Sequence, residues 1–542
     1  MMQYTCVISP NRQSEPMPVI LDGHTLHPHH LERIANGDKV QLCEDGLSRM
    51  AVARGIIDNA VEQRIPVYGV TTGLGPKVVD PLPDESLSTF SLNTIRGRAH
   101  GVGDSLDRGC IRAGMAVRAN TLLLGAAGAR PDLARHIAAC LNADLVPFIA
   151  QTGTIGVADL TWGGALGLGL IGEGDMLAAD ASRHPAMDAM NSAGIEPYQP
   201  GPREGLALVS HSCITAGLAA VGWAQLQRCY EAAQSAAALS MEGFRSNLSP
   251  LDSRVLSLRP QPGQSDAAVG LRQRLEGSAL FTAGAARRLQ DPLSLRNVAQ
   301  VHGAARAALN FSADALHCEL NGASDNPAVL IESGEILSNG GYLPPHLCVA
   351  LIATTQSLVH LAALQVSRIS KMMFERFTGL SNGLTAADAE GAGLGPLLKP
   401  AETLYAEIAH LATPPPVYPG MSADGLEDVQ THTAIPAKSL FPIAARLRQL
   451  SAIEGIVAAQ AIELRNLDQQ LPKTLQAVFT TVREESATVR QDRPLGAEID
   501  ALADRIKHGA FDGACIGATN PAIVATDSGA GGATGRGALE EH

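Results

Sequence analysis

Apolar residues recur every three or four positions along two long segments in the second half of the chain. The first segment carries Leu351, Thr355, Leu358, Ala362, Val366, Ile369 and Met373, and the second carries Ile443, Leu447, Leu450, Ile453, Val457, Ala461 and Leu464. This spacing places the apolar side chains on one face of a helix. The pattern predicts helices of roughly 20 to 25 residues, about 30 to 38 Å long, in a central bundle.

The N-terminal part of the chain shows shorter patterns. A helical pattern from about residue 29 to 65 ends at the glycine-rich stretch YGVTTGLG (68–75). Further helices are predicted over about 106–125 and from Pro131 to just before Pro147.

The apolar run at 205–224 has the composition of a membrane span. Because it carries His211 and several hydroxyl groups, the run favours a buried helix of the bundle instead. Two Gly- and Pro-rich breaks, 378–396 and 411–428, interrupt the helical second half. Side chains of a functional site are often carried by loops of this kind, held between rigid helices.

Shifts in composition divide the chain into five predicted parts. They are an N-terminal extension (1–17), an N-terminal active-site domain (18–203), a central helical bundle (204–480), a C-terminal helical segment (481–515) and a flexible Gly/Ala-rich tail (516–542). The tail is too rich in small residues to bury much apolar surface.

Composition supports a mostly α fold. Hydrophobic residues make up 45% of the 542 residues and aromatic residues only 4%, so the core must come from Ala, Leu, Val and Ile, which suit close helix packing. A formal net charge of −13 argues against a phosphate-tracking surface and a polybasic membrane patch. We therefore expect neither a nucleic acid nor a membrane as partner.

The cysteine and histidine patterns predict a cytoplasmic protein without a metal site. The nine cysteines include no C-x-x-C pair, and an odd number suits a disulfide framework poorly. The first 20 residues lack the pattern of a signal peptide. The stretch HTLHPHH (24–30) has no Cys or carboxylate at ligand spacing, so we predict solvated histidines there.

Eight short motifs in a fixed order resemble the histidine and phenylalanine ammonia-lyase family. They are YGVTTGLG (68–75), RANTLLLGAAG (118–128), GLIGEG (169–174), EGLALV (204–209), QDPLSLR (290–296), SDNP (324–327), SRISKMM (367–373) and LED (426–428). Each motif alone is weak, but together they cover nearly the whole chain from about residue 20 to 480. The resemblance implies the ammonia-lyase fold with a long central bundle, and a homotetramer whose neighbouring chains complete each site.

The resemblance also implies the roles of four residues. Tyr68 matches the catalytic tyrosine, here the general base at the β-carbon of the substrate, and Glu427 matches a late glutamate that accepts the imidazole N–H. Arg296 would hold the substrate carboxylate with help from Asn120. Structural alternatives remain open: a loop-anchoring phenol for Tyr68, a hydrogen bond within a helix for Asn120, a bundle salt bridge for Arg296 and a solvated loop charge for Glu427.

The stretch QTGTIGVADL (151–160) departs from the family pattern. The family carries a methylidene-imidazolone, made by cyclising an internal Ala-Ser-Gly within Gly-Ser-Xaa-Gly-Ala-Ser-Gly-Asp-Leu. The matching run 153–160 is one residue shorter and has no serine, although its flanks stay in register. The nearby hydroxyl–glycine pair, Thr152 and Gly153, aligns upstream of the triad. We therefore predict that the protein has no such cofactor.

A substrate with a quaternary nitrogen explains how a lyase can work without the electrophile. Trimethylamine departs as a neutral molecule, and its fixed positive charge in the substrate acidifies the neighbouring carbons. The sequence thus resembles the branch of the family without the prosthetic group, the ergothionases, which convert the histidine betaine ergothioneine to thiourocanate. The alternatives are an ammonia-lyase or aminomutase acting on an ordinary aromatic amino acid, and an inactive binding homologue.

Four further residues are candidates for the site. Lys399 interrupts an apolar stretch, and we predict that its ammonium stabilises negative charge on the heterocycle; the alternative is a lysine at a bundle end with its charge in water. Tyr342 and Trp162 are candidates for an aromatic wall around the three methyl groups, or for ordinary core. Arg98 falls near the ring-selectivity position of the family, within one or two residues, and receives no role.

Overall fold

The computed structural model describes residues 17–386, 391–416 and 419–512, and helices dominate this part of the chain. The helices are α1 (Pro28–Ala35), α2 (Glu44–Glu62), α3 (Leu87–Arg96), α4 (Arg108–Leu122), α5 (Pro131–Asn142), α6 (Leu160–Leu170), α7 (Ala186–Ala193), α8 (Glu204–Val209), α9 (Cys213–Phe244), α10 (Ser253–Leu256), α11 (Gln264–Arg274), α12 (Leu293–Arg296), α13 (Val298–Asn321), α14 (Pro345–Met372), α15 (Glu375–Thr378), α16 (Leu398–Leu411), α17 (Ala434–Leu464), α18 (Lys473–Glu485) and α19 (Gly496–Lys507). The mostly α prediction is confirmed. The predicted tail lies outside the described residues, as does the predicted extension except for Met17.

In the part of the chain that the structure describes, short strands form four two-stranded sheets around the helices. The strands are β1 (Val19–Leu21), β2 (Val40–Leu42), β3 (Val102–Ser105), β4 (Ala150–Thr152), β5 (Asp175–Leu177), β6 (Arg183–Pro185), β7 (Ala328–Leu330) and β8 (Glu335–Leu337). β1 pairs with β2 in parallel, and β3 with β4, β5 with β6 and β7 with β8 are antiparallel. The β3–β4 pair holds one flank of the loop that follows β4.

The central bundle forms from the predicted stripes. α9 packs against α17, α4 and α13, and α14 packs against α13 and α17. The stripe residues Leu358, Ala362 and Ile369 on α14 and Ile443 to Ala461 on α17 lie in one continuous hydrophobic core. The observed helices are longer than predicted because each begins before its stripe, α14 at Pro345 and α17 at Ala434.

Within the described residues, two helical segments have the length and apolar composition of a membrane span. The first, Glu204–Phe244, is almost entirely buried inside the protein, as expected of a core helix. It is not one continuous helix, because residues 210–212 separate α8 from α9. The second, α14, is only half buried, and exposes apolar side chains such as Val349.

The prediction of an uninterrupted helical pattern over about 29–65 is wrong between α1 and α2. The structure has α1 and α2, separated by β2, which pairs with β1. The break begins at Asn36, and Gly37 takes a left-handed backbone conformation (φ +112°) that ends the first helix. Helical periodicity alone does not detect a short strand inserted between two helices.

The long helices give the bundle two distant ends. α13 has 24 residues and α14 has 28, which correspond to about 36 and 42 Å. The end that contains the loop after β4, the start of α17 and the segment before α14 is called the loop end. The opposite end, which contains α12, the C-terminus of α14 and the start of α16, is called the far end.

Candidate active site

Tyr68 lies on a tight loop at the loop end. Its side chain is half-buried against the main core, and its hydroxyl accepts a hydrogen bond from the backbone N–H of Gly75 (3.1 Å). Gly69 has φ +64°, and a Cβ there would lie 2.5 Å from the side chain of Leu206. The loop therefore requires glycine at this position, and it fixes the phenol in place.

Residues 431–433 hold the loop after β4 in place through hydrogen bonds. Gly156 adopts φ +76°, and a Cβ there would lie 2.1 Å from the hydroxyl of Thr431. That hydroxyl donates a hydrogen bond to the carbonyl of Gly156 (2.9 Å), and the N–H of His432 donates to the carbonyl of Ile155 (3.0 Å). These contacts hold the loop 153–159 in a single conformation.

Asp159, at the end of the same loop, ties the loop to α9. Its buried carboxylate accepts hydrogen bonds from the N–H and the hydroxyl of Thr215 (2.7 Å each) and from the hydroxyl of Thr154 (3.1 Å). The carbonyl of Tyr342 accepts from the N–H of Ala158 (3.1 Å), so Tyr342 also supports the loop through its backbone. The Tyr342 side chain is half-buried at this end of the bundle.

Replacing Asp159 with Asn is expected to remove a dependence of stability on pH. Burial raises the pKa of Asp159 from 3.8 to about 6, although its hydrogen bonds oppose the shift. The folded protein therefore retains a proton that the unfolded chain releases. On this account the free energy of unfolding falls by about 3 kcal/mol as the pH rises from about 4 to about 6. Asp159→Asn lacks this contribution, and denaturant unfolding at several pH values measures the difference. Parallel pH curves for the two proteins would contradict the prediction.

The residues of this loop do not fit the prosthetic group of the ammonia-lyases. Cyclisation needs a dehydratable side chain between a carbonyl and the nitrogen two residues later, and Val157 between Gly156 and Ala158 has no hydroxyl. The hydroxyl of Thr154 lies 3.2 Å from the carbonyl of Ala158 and accepts from the N–H of Gly156 (3.2 Å). Thr152 lies in β4, whose extended backbone keeps the atoms that would have to join apart.

Glu427 and Arg98 lie at the same end as Tyr68. The turn at 423–425, just before Glu427, packs against the turn at 75–77 that ends the Tyr68 loop. Burial raises the pKa of Glu427, and the positive charge of Arg98 opposes that rise. Burial lowers the pKa of Arg98, and Tyr68 and Glu427 oppose that shift. The half-buried Arg98 therefore interacts electrostatically with Tyr68 and with Glu427.

Asn120 does not join this site. Its side chain is 0% exposed, accepts from the N–H of Gly23 (2.9 Å) and donates to the carbonyl of Leu320 (2.9 Å). The carboxamide ties α4 to the N-terminal segment and to the end of α13. This geometry favours the structural alternative over contact with a substrate carboxylate.

Arg296 and Lys399 lie at the far end, away from Tyr68 in the same chain. Arg296 ends α12 and donates to Gln290, and the adjacent Ser294 carbonyl lies near Arg368 in the last turns of α14. Lys399 is exposed in the first turn of α16. The segment before it contacts the end of α14 through hydrogen bonds from Gly383 to Met373 (2.8 Å) and from Leu394 to Gly383 (2.8 Å). One chain therefore does not bring these cations to the phenol.

Trp162 belongs to the core. It is 1% exposed, and its indole N–H donates to the carbonyl of Ala150 (2.8 Å), so it cannot line a substrate cavity in this conformation. The sequence interpretation also missed Thr431, whose hydroxyl fixes the loop. No sequence signal identifies it, because the contact joins residues 275 positions apart.

Comparisons with known proteins agree with this architecture. The family model described as aromatic amino acid lyase matches residues 26–484. A histidine ammonia-lyase from Symbiobacterium thermophilum is 31% identical over 492 residues, which cover 91% of this chain and 97% of that relative. A histidine ammonia-lyase from Bacillus subtilis is 29% identical, with 90% and 96% coverage.

Solved structures show the same fold. An ergothioneine-degrading ergothionase from Treponema denticola, in complex with desmethyl-ergothioneine sulfonic acid, matches with a TM-score of 0.85 and 26% identity, covering 91% of this chain and 99% of that one. A tyrosine aminomutase from Streptomyces globisporus matches with a TM-score of 0.85 and 28% identity, with 91% and 98% coverage. The chain therefore belongs to the aromatic amino acid lyase family, whose members are carbon–nitrogen lyases.

Proposed function

We propose that the protein eliminates trimethylamine from an N-trimethylated histidine betaine, ergothioneine first, to give thiourocanate. The observation that carries the proposal is the loop 153–159. It keeps a defined, hydrogen-bonded position at the same end of the bundle as Tyr68 and Glu427, yet its residues do not fit the electrophile. The structural similarity to an ergothionase supports the same function.

The chemistry follows from the leaving group. An ordinary amine leaves poorly, so it needs an electrophile to carry its electrons away. A trimethylammonium nitrogen has no lone pair with which to attack an electrophile, and it leaves as neutral trimethylamine when the C–N bond breaks. In the proposed step the β-proton moves to the base, the C–H electrons form the Cα–Cβ double bond, and the C–N electrons remain on nitrogen.

Tyr68 and Glu427 act from one chain. The phenolate of Tyr68 takes the β-proton, and the carboxylate of Glu427 accepts the imidazole N–H, which orients the ring. Tyr342 lies beside the loop and supplies an aromatic face for the methyl groups. Asn120, buried and fully bonded within the protein, supports α4 and has no part in this proposal.

Arg296 and Lys399 act from a neighbouring copy. They lie at the far end, about 40 Å along the bundle from the loop end, so they reach a phenol only in an antiparallel assembly. Arg296 then holds the carboxylate, and Lys399 stabilises negative charge on the heterocycle. The far end is strongly cationic: burial, with repulsion from Arg287 and Arg245, lowers the pKa of Arg465 to about 10.

A second copy also explains the exposed face of α14. This helix is apolar enough for a membrane span, but only half of it is buried within one chain. Because α14 runs from the loop end to the far end, an antiparallel copy covers this face and brings the two ends together. We propose a homotetramer with shared sites.

Elimination of ammonia from histidine is the second candidate. It is favoured by the relatives of 28 to 31% identity, which are histidine ammonia-lyases. The loop 153–159 argues against this function. Histidine carries an ordinary amine, which leaves only with the help of an electrophile, and the residues of this loop do not fit that electrophile. A binding protein without activity is the third candidate. This function does not explain why Arg98 interacts with both Tyr68 and Glu427.

One substrate panel separates these functions. The purified protein is incubated with ergothioneine, hercynine, histidine, phenylalanine and tyrosine, and conjugated-acid absorbance and released amine are followed together. We expect trimethylamine from ergothioneine and no ammonia from the three unmethylated amino acids. Ammonia from histidine would favour the second candidate, and no product from any compound would favour a binding protein.

A further inference from the structure

The hydroxyl of Thr154 closes the loop 153–159 from within. It lies 3.1 Å from a carboxylate oxygen of Asp159 and 3.2 Å from the carbonyl oxygen of Ala158, and it donates to one of these two oxygens. The same hydroxyl accepts a hydrogen bond from the N–H of Gly156 (3.2 Å). One side chain therefore joins the start of the loop to its middle and to its end.

The loop needs such a closure because its backbone is strained. Ala158, which is not a glycine, has φ +50°, and Gly156 has φ +76°. A residue with a Cβ enters the left-handed region only at a cost in energy, so surrounding contacts must hold it there. In the ammonia-lyases a covalent ring fixes this part of the loop, whereas the residues here do not fit that ring. Hydrogen bonds therefore have to hold the loop.

The loop 153–159 in turn supports two segments that carry residues of the proposed site. Two of its carbonyl groups accept hydrogen bonds from residues 431–432, which follow Glu427 in the chain. The N–H of Ala158 donates to the carbonyl of Tyr342 (3.1 Å). A change in the shape of the loop is therefore passed to both segments.

We propose that Thr154 is a positioning residue, which closes the loop without a covalent bond and thereby places the segments of Tyr342 and Glu427 around the substrate. The inference rests on the proposed function, in which Glu427 orients the imidazole ring and Tyr342 faces the methyl groups. Tyr68, the proposed base, is held separately by the hydrogen bond from Gly75 (3.1 Å). Loss of the Thr154 hydroxyl therefore weakens substrate binding more than it slows the chemical step.

Two carboxyl groups determine the pH at which the proposal is tested. Burial raises the pKa of Asp159 to about 6, and hydrogen bonds from Thr215 and Thr154 oppose that rise. Burial and the charge of Asp159 raise the pKa of Glu319 to about 7. Both tests are therefore run at about pH 8.5, where these carboxyl groups are ionised.

The first test compares Thr154→Val, which has a similar shape but no hydroxyl, with Thr154→Ser, which keeps the hydroxyl. Thr152→Val is the matched control, because Thr152 is exposed on β4 and its side chain forms no hydrogen bond with the described residues. We expect Thr154→Val to raise KM for ergothioneine about tenfold while kcat falls less than about threefold. Thr154→Ser should keep KM within about threefold of the unsubstituted protein, because its hydroxyl closes the loop in the same way.

The ratio of the two kinetic effects separates positioning from a loss of folded protein. A partly unfolded variant has a lower kcat and an unchanged KM, because the remaining folded molecules bind the substrate normally. An unchanged KM in Thr154→Val would therefore overturn the proposal. The same rise of KM in Thr152→Val, or in Thr154→Ser, would overturn it as well.

The second test needs no turnover. Deuterium exchange of the peptide that covers 153–159, followed by mass spectrometry, reports how often the loop opens. We expect exchange about tenfold faster in Thr154→Val than in Thr152→Val or the unsubstituted protein. Equal exchange in Thr154→Val and Thr152→Val would overturn the role of Thr154. Faster exchange in Thr154→Val, together with no release of trimethylamine by the unsubstituted protein, would support the closure of the loop and reject the proposed substrate.

Discussion

Tyr68→Phe is expected to lower kcat on ergothioneine by about 10³-fold, because it removes the group that takes the β-proton. The effect on stability should be small. The lost hydrogen bond from the N–H of Gly75 is worth about 1 kcal/mol, and the aromatic ring remains packed against the core. Steady-state release of trimethylamine gives the rate, and thermal unfolding gives the stability.

Tyr230→Phe is the matched control. The hydroxyl of Tyr230 accepts from Gln234 (2.7 Å) in the middle of α9, inside the bundle, and the residue has no place in the proposed site. Its loss should cost stability and leave kcat unchanged. Full activity of Tyr68→Phe would exclude the phenol as base. An equal loss of activity in both variants would point to disturbed packing.

Mixed oligomers of Tyr68→Phe and Arg296→Met are expected to be active although each variant alone is not. If every site takes Tyr68 from one copy and Arg296 from another, random mixing of the two chains restores both residues in about a quarter of the sites. The physical reason is the length of α13, about 36 Å, which separates the two residues in one chain. Co-expression with two affinity tags isolates the mixed species for assay.

The control for mixing is a double variant, Tyr68→Phe with Arg296→Met, co-expressed with Tyr68→Phe. It has no site with an intact tyrosine, so its activity should stay at the level of Tyr68→Phe alone. If the mixture of the two single variants is no more active than this control, both residues come from one chain or chains do not share sites. Either explanation would contradict the antiparallel assembly.

The long helices were the most predictable part of the fold. The stripes on α14 and α17 arise from a local rule, because residues three and four apart share a helix face and bury it together. The strand β2 between α1 and α2 was not predictable in the same way. Its hydrogen bonds with β1 join residues about 20 positions apart, and three residues carry too short a pattern to detect.

The candidate site was predictable where a motif matches a fixed loop. Tyr68 lies on a turn that requires glycine, so the motif and the structure report the same constraint. Asn120 shows the limit of this reasoning, because a motif does not reveal whether a polar group faces a substrate or the backbone of another helix. Arg98 shows the same limit, because its electrostatic interaction with Glu427 joins two segments that come together only in the folded chain.

The loop 153–159 carries the central claim that the protein works without an electrophile. Borohydride reduces a methylidene-imidazolone by adding hydride to its exocyclic carbon, whereas an unmodified Gly-Val-Ala backbone does not react. The most direct measurement is therefore the release of trimethylamine from ergothioneine before and after treatment of the protein with borohydride. We predict the same rate in both cases. Loss of activity on treatment would show that an electrophile takes part, and absence of trimethylamine from the untreated protein would contradict the proposed reaction.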